Sequence, residues 1–75
     1  MSNIHRFNTE IYSLKYIQMA IMAYVNIADI EIISYDDTYY TCKFKNCKYE
    51  CTTTIKEFEN YLIALANRGI SNADM

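Results

Sequence analysis

Proline is absent from these 75 residues and glycine occurs once, as Gly69. Without proline there is no semi-rigid spacer between domains, and a single glycine cannot build a glycine-rich loop that cradles phosphate. Charge of one sign is scarce as well. Seven basic and nine acidic residues leave a formal charge of −2, without the concentrated positive field of a general nucleic-acid binder. Lys43, Lys45 and Lys48 form the one basic cluster and read as a solvated face. No apolar run approaches the roughly 20 residues that cross a bilayer, and Met1–Arg6 does not read as the start of a signal peptide. A soluble, cytoplasmic protein is expected, with neither nucleic acid nor membrane as partner. His5, the single histidine, has no nucleophile or acid fixed near it by local spacing, so nothing supports a catalytic triad. It is expected to be a solvent-facing edge residue.

What the chain has in abundance is apolar side chain: 52% of its residues are hydrophobic, a globular composition. A domain near this size buries about 60% of its unfolded surface. One domain over 1–75 is therefore expected, with 70–75 a frayed tail. The densest apolar stretch runs from Tyr16 to Val25, where Gln18 is the one polar residue. Ser13 is a fitting N-cap for this helix, and Tyr12 can pack back as a staple. Leu14, Ile17, Ile21 and Tyr24 recur at spacings of three and four and define its buried face. Tyr16, Met19, Ala20 and Ala23 widen that face. On the remaining stripe Lys15, Gln18 and Asn26 are polar, interrupted by Met22 and Val25. A helix apolar nearly all round needs cover on more than one side. Met22 and Val25, with Met19 at the margin, are thus the expected partner-binding residues.

Beyond Ala28 the period changes to two. Ile30 and Ile32 alternate with Glu31 and Ile33, and Tyr40, Cys42 and Phe44 alternate with Tyr39, Thr41 and Lys43, with Asp36-Asp37 as turn chemistry between them. A three-residue loop of Asp36, Asp37 and Thr38 sets Ile32 opposite Cys42, Ile30 opposite Phe44 and Glu31 opposite Lys43. A two-residue loop instead puts Ile30 opposite Lys43 and Glu31 opposite Cys42, mixing charge with core on both faces, so an odd loop is favoured. Ile33, Tyr35, Tyr39 and Thr41 then share the outward face, where Tyr35 and Tyr39 either pair with each other or form a contact surface. Ile4–Phe7 reads weakly as an edge strand. A last helix begins after Cys51, with Thr54 and Glu57 as a capping box and Arg68-Gly69 as its C-terminal end. Ile55, Phe58, Leu62 and Leu65 face its core side, and Lys56, Glu59, Asn60 and Asn67 face water. The order β-α-β-β-α gives an α+β fold, a hairpin plus N-terminal edge strand with both helices on one face.

The cysteines are Cys42, Cys47 and Cys51. Zinc ligation with His5 as fourth donor is poorly served by this spacing, which lacks a Cys-x2-Cys knuckle. Cys42 points into the expected core as a small hydrophobe, and Cys47 and Cys51 are expected as reduced surface thiols. Cys47-x3-Cys51 begins like the cluster signature of radical S-adenosylmethionine enzymes. Thr54 stands where its third cysteine belongs, and the chain is too short for the barrel of such an enzyme.

Two tracts carry a resemblance. Ile11-Tyr12-Ser13-Leu14 followed by an alanine-containing apolar helix, and Glu57-Phe58-x-Asn60-x-Leu62 leading to Arg68, resemble the small HxsD-type proteins of His-Xaa-Ser peptide-maturation systems. The resemblance implies a non-enzymatic accessory protein, without catalytic residues or cofactor, working beside a radical S-adenosylmethionine maturase on a ribosomally made precursor peptide. It implies Asn60 and Arg68 as partner contacts, since neither need serve the core. Two other functions fit the residues: a homodimer packed through the first helix, and a small metal or redox protein using Cys47 and Cys51.

Overall fold

A computed structural model describes the backbone of residues 3–73 and side-chain surroundings as far as Asn67. Its elements are β1 (Asn3–Asn8), α1 (Leu14–Ala23), β2 (Asp29–Tyr35), β3 (Tyr39–Lys45) and α2 (Cys51–Ala73). The expected α+β order holds, and the weakly marked Ile4–Phe7 segment is a full strand. The sheet order is β1-β3-β2, with both outer strands antiparallel to β3. β1 and β2 are therefore parallel to each other across β3, and β1-α1-β2 is a split β-α-β unit whose gap is filled by the hairpin strand.

Ser13 caps α1 as its sequence suggests: the hydroxyl accepts from the Tyr16 N–H at 3.3 Å. The helix ends at Ala23 in turns in which the N–H groups of Ile27 and Ala28 both donate to the Tyr24 carbonyl. Ile17 and Ala20 are buried, and Tyr16, Ile21 and Tyr24 pack around them. Leu14 does not join this face; it is 41% exposed, and Met19 and Ala23 are exposed too. The buried stripe of α1 is narrower than its apolar composition suggests, because α2 and the sheet cover only one side.

The hairpin keeps the expected core pairs by a different route. Ile30 faces Phe44, Glu31 faces Lys43 and Ile32 faces Cys42, but beyond a bulge at Ile33 Ser34 faces Thr41 and Tyr35 faces Tyr40. The Asp36 N–H donates to the Tyr39 carbonyl at 2.9 Å, so the loop is Asp37-Thr38, two residues rather than three. Asp36 closes it by accepting from the N–H groups of Thr38 and Tyr39. The odd residue that face-matching requires sits in the bulge, one extra residue on one strand. As a result Tyr35 leaves the outward face and meets Tyr40, with ring centroids 6.4 Å apart. Tyr39 instead pairs with Asn8 and lies under the Arg6 guanidinium at 5.9 Å.

α2 starts four residues earlier than the capping box implies, at Cys51 rather than Ile55. The Thr54 hydroxyl bonds back to the Glu50 carbonyl, inside the first turn and buried. The helix also runs through Gly69 to Ala73; with no proline to stop it, the glycine weakens the helix by about 1 kcal/mol relative to alanine without ending it. Residues 70–73 are thus helical in backbone, while 74 and 75 lie outside the described residues. The core gathers on Phe58, whose ring lies 5.2 Å from Phe44, 5.4 Å from Tyr24 and 5.6 Å from Phe7. Leu62, Ile17, Ala20, Cys42 and Tyr12 complete it.

Candidate binding surfaces

Along β1 side chains alternate between the two faces. Phe7 faces Tyr40 and His5 faces Cys42, on the helix side of the sheet; Ile4 faces Lys43 and Arg6 faces Thr41, on the open side. His5 is an edge-strand residue as expected, its side chain 37% exposed, but it lies on the helix side of the sheet. Its ring packs against Phe7 at 4.9 Å, and Nε2 lies 3.7 Å from Glu59 of α2. Glu59, expected in water, is half-buried there. This contact fixes which flank of α2 overhangs β1. Ile63 follows Glu59 by four residues on the same flank, and is 42% exposed. On the opposite flank Tyr61 meets Tyr24, the C-cap of α1, centroids 5.9 Å apart. The outer edge of β1 pairs with no strand among the described residues, and its pairing with β3 is continuous over six residues. Ile63 drew no notice as a sequence position, although an isoleucine one turn from Glu59 on the nominally polar side was a visible signal.

The edge of β2 is built differently. It opens onto a groove of about 860 Å³ beneath α1, lined by Leu14 and Gln18 on one wall and Ile32, Ile33, Tyr35 and Asp36 on the other. Tyr35, 76% exposed, stands at its rim. The bulge at Ile33 and the acids Asp29 and Glu31 interrupt this edge, the devices by which proteins blunt strands against further pairing. Asp36 is held below the usual carboxylate range by the Tyr39 and Thr38 N–H groups it accepts from, and by Arg6.

The other expected partner residues scatter. Met19 and Met22 are exposed on α1, Met22 at 72%. Val25 lies past the helix end, on a small recess with Ile21, Asp29 and Lys45. Asn60 is exposed on α2, and the side chain of Arg68 lies outside the described residues. They do not form one patch with Tyr35 and Tyr39, because the bulge moves Tyr35 to the helix side.

The candidate chemical groups have structural occupations. Cys47 and Cys51 form a disulfide with Cα atoms 5.4 Å apart, which corrects the expectation of two free thiols. Their loop is anchored by Asn46, at φ 52°, whose amide donates to Asp29, and by the Lys48 N–H, which donates to the Ile27 carbonyl. Asparagine tolerates that left-handed conformation better than most residues. Cys42 is fully buried, and desolvation pushes its thiol up to about 11. Burial also raises the phenols of Tyr12 and Tyr24, with Glu59 and Glu57 respectively adding to it. Zinc-type ligation by His5 and the three cysteines is not assembled: Cys42 is in the core and two sulfurs are bonded to each other. Among the described residues no three His, Cys, Asp or Glu side chains gather as a metal set, and no helix is long and apolar enough to cross a membrane. The chain matches no protein-family model, and neither a curated protein nor a solved structure matches it.

Proposed function

We propose that the protein is a non-enzymatic accessory protein that holds an extended peptide as an added strand on β1. The observation that carries this reading is the unbroken outer edge of β1 beside an α2 flank with exposed apolar surface. Strand addition takes affinity from main-chain hydrogen bonds and specificity from alternate side chains. The topology points to the same place. A crossover from one strand through a helix to a parallel strand is right-handed. The rule that carries β1 through α1 to β2 carries a strand antiparallel to β1, such as β3, the opposite way through α2. The next place in that direction is the outer side of β1. Among the described residues no strand occupies it.

In keeping with the HxsD-type resemblance, the peptide is a ribosomally made precursor, the enzyme acting on it is a radical S-adenosylmethionine maturase, and the compartment is the cytoplasm. The test is anaerobic titration of the purified protein with a His-Xaa-Ser-type precursor peptide and with a radical S-adenosylmethionine maturase of such a system. Binding at micromolar concentration, with shifts in the Asn3–Asn8 amide signals, is expected. If neither molecule binds, the accessory role fails. A second reading, self-association through α1, is favoured by the exposure of Met22 and Met19; light scattering that shows a dimer lost in Met22→Lys decides for it.

A further inference from the structure

Resting on the β1-edge reading, we propose that the slot between β1 and the Glu59–Ile63 flank of α2 selects a peptide strand with a defined four-residue pattern. In the peptide's N-to-C direction the pattern is apolar, acidic, small polar, β-branched. The added strand runs antiparallel to β1, continuing the alternation of the sheet and the commoner strand pairing. Its four residues then lie opposite Phe7, Arg6, His5 and Ile4 in turn.

Each position follows from its neighbours. Arg6 is on the open face with its guanidinium over Tyr39, and among the described residues it has no carboxylate within ion-pair distance. The lysines one strand further in stand opposite acids in register on β2, Lys43 across from Glu31 and Lys45 across from Asp29. Acids thus stand in register on the β2 side, whereas Arg6 stands opposite Thr41 and feels Asp36 only from beyond ion-pair distance; an acid opposite Arg6 on the added strand gives it a partner in register. Ile4 shares that face and is 59% exposed; a β-branched residue opposite forms an apolar cross-strand pair.

On the helix side, the position opposite His5 faces the His5–Glu59 contact, where a small hydroxyl side chain can hydrogen-bond without displacing Glu59. The position opposite Phe7 comes under Ile63. α2 begins near the Asn3 end of β1, just past β3, and runs back over the sheet. The four-residue step from Glu59 to Ile63 advances about 6 Å, close to the two-residue step from His5 to Phe7 on the strand. An apolar residue there covers the exposed isoleucine.

The test uses the whole chain and three labelled synthetic peptides in fluorescence anisotropy: one carrying Val-Glu-Thr-Val in a threonine-rich frame, one with lysine in place of the glutamate, and one of the first composition in scrambled order. The matched peptide is expected to bind most tightly, and the lysine peptide about fivefold more weakly. Arg6→Glu, checked for native circular dichroism, should reverse the ranking of the first two. Equal affinity for all three peptides, with Asn3–Asn8 amides still shifting, overturns the pattern and leaves the edge reading standing. Absence of binding with unshifted β1 amides overturns both. Protection of those amides in a dimer without peptide also overturns the proposal, because a second copy then holds the edge.

Discussion

Replacing Phe58 by alanine tests the packing logic at its centre. Its ring meets β1 through Phe7, β3 through Phe44 and the C-terminal cap of α1 through Tyr24, with centroids within 5.6 Å. It is fully buried, so truncation removes transfer energy and leaves a cavity among three aromatic rings on three elements. Such a change costs about 3–5 kcal/mol. A domain of this length has roughly 4–11 kcal/mol in total, so Phe58→Ala is expected to lower the melting temperature by on the order of 12 °C or more. Met22→Lys is the internal comparison: at 72% exposure it should change stability by no more than about 0.5 kcal/mol. Urea titration followed by far-ultraviolet circular dichroism, with thermal melts of both variants, measures the difference. A cost below about 1.5 kcal/mol for Phe58→Ala, or an unfolded Met22→Lys, refutes the assignment of core and surface.

Alkali should unfold the protein in a way that Cys42 partly controls. A group whose pKa is higher in the folded state gives stability that is present below its unfolded pKa and lost as pH rises. With 9.0 unfolded and about 11 folded, stability should fall between pH 9 and 11 by roughly 2–3 kcal/mol; Cys42→Ala should flatten that decline in pH-dependent urea melts, and an unchanged slope argues against a buried thiol. Reducing the Cys47–Cys51 bridge removes the constraint of a short loop, worth about 2 kcal/mol in the chain-entropy account, so calorimetry with and without dithiothreitol should show a lower melting temperature and an intact fold; loss of the fold on reduction contradicts a core held by Phe58. Ser13→Ala should cost about 0.5–1 kcal/mol through the lost α1 cap, read by the same melts, and no loss means the Tyr16 N–H is satisfied otherwise. Deleting Ile33 should give a regular hairpin that keeps the Ile32/Cys42 and Tyr35/Tyr40 pairs, detectable as cross-strand nuclear Overhauser effects; an exchange of faces beyond residue 33 contradicts the bulge.

Local pattern in the sequence determined a good deal here. Period-two alternation marked both hairpin strands, and matching apolar faces was enough to pair Ile30 with Phe44 and Ile32 with Cys42. Ser13 announced the start of α1, since a cap is a contact three residues long. The tertiary structure decided what depends on distant partners. Phe7, His5 and Arg6 are a short, weakly marked segment until β3 pairs with them across more than thirty residues, and only then is their edge a candidate surface. His5 and Glu59 each read as solvent-facing because their mutual contact spans two elements. The bulge satisfied face-matching and a two-residue turn together, an outcome outside a regular hairpin. Thr54 bonding back to Glu50 moved the start of α2. Helical spacing placed Met22 outside, but only packing against α2 and the sheet decided that Leu14 stays outside with it.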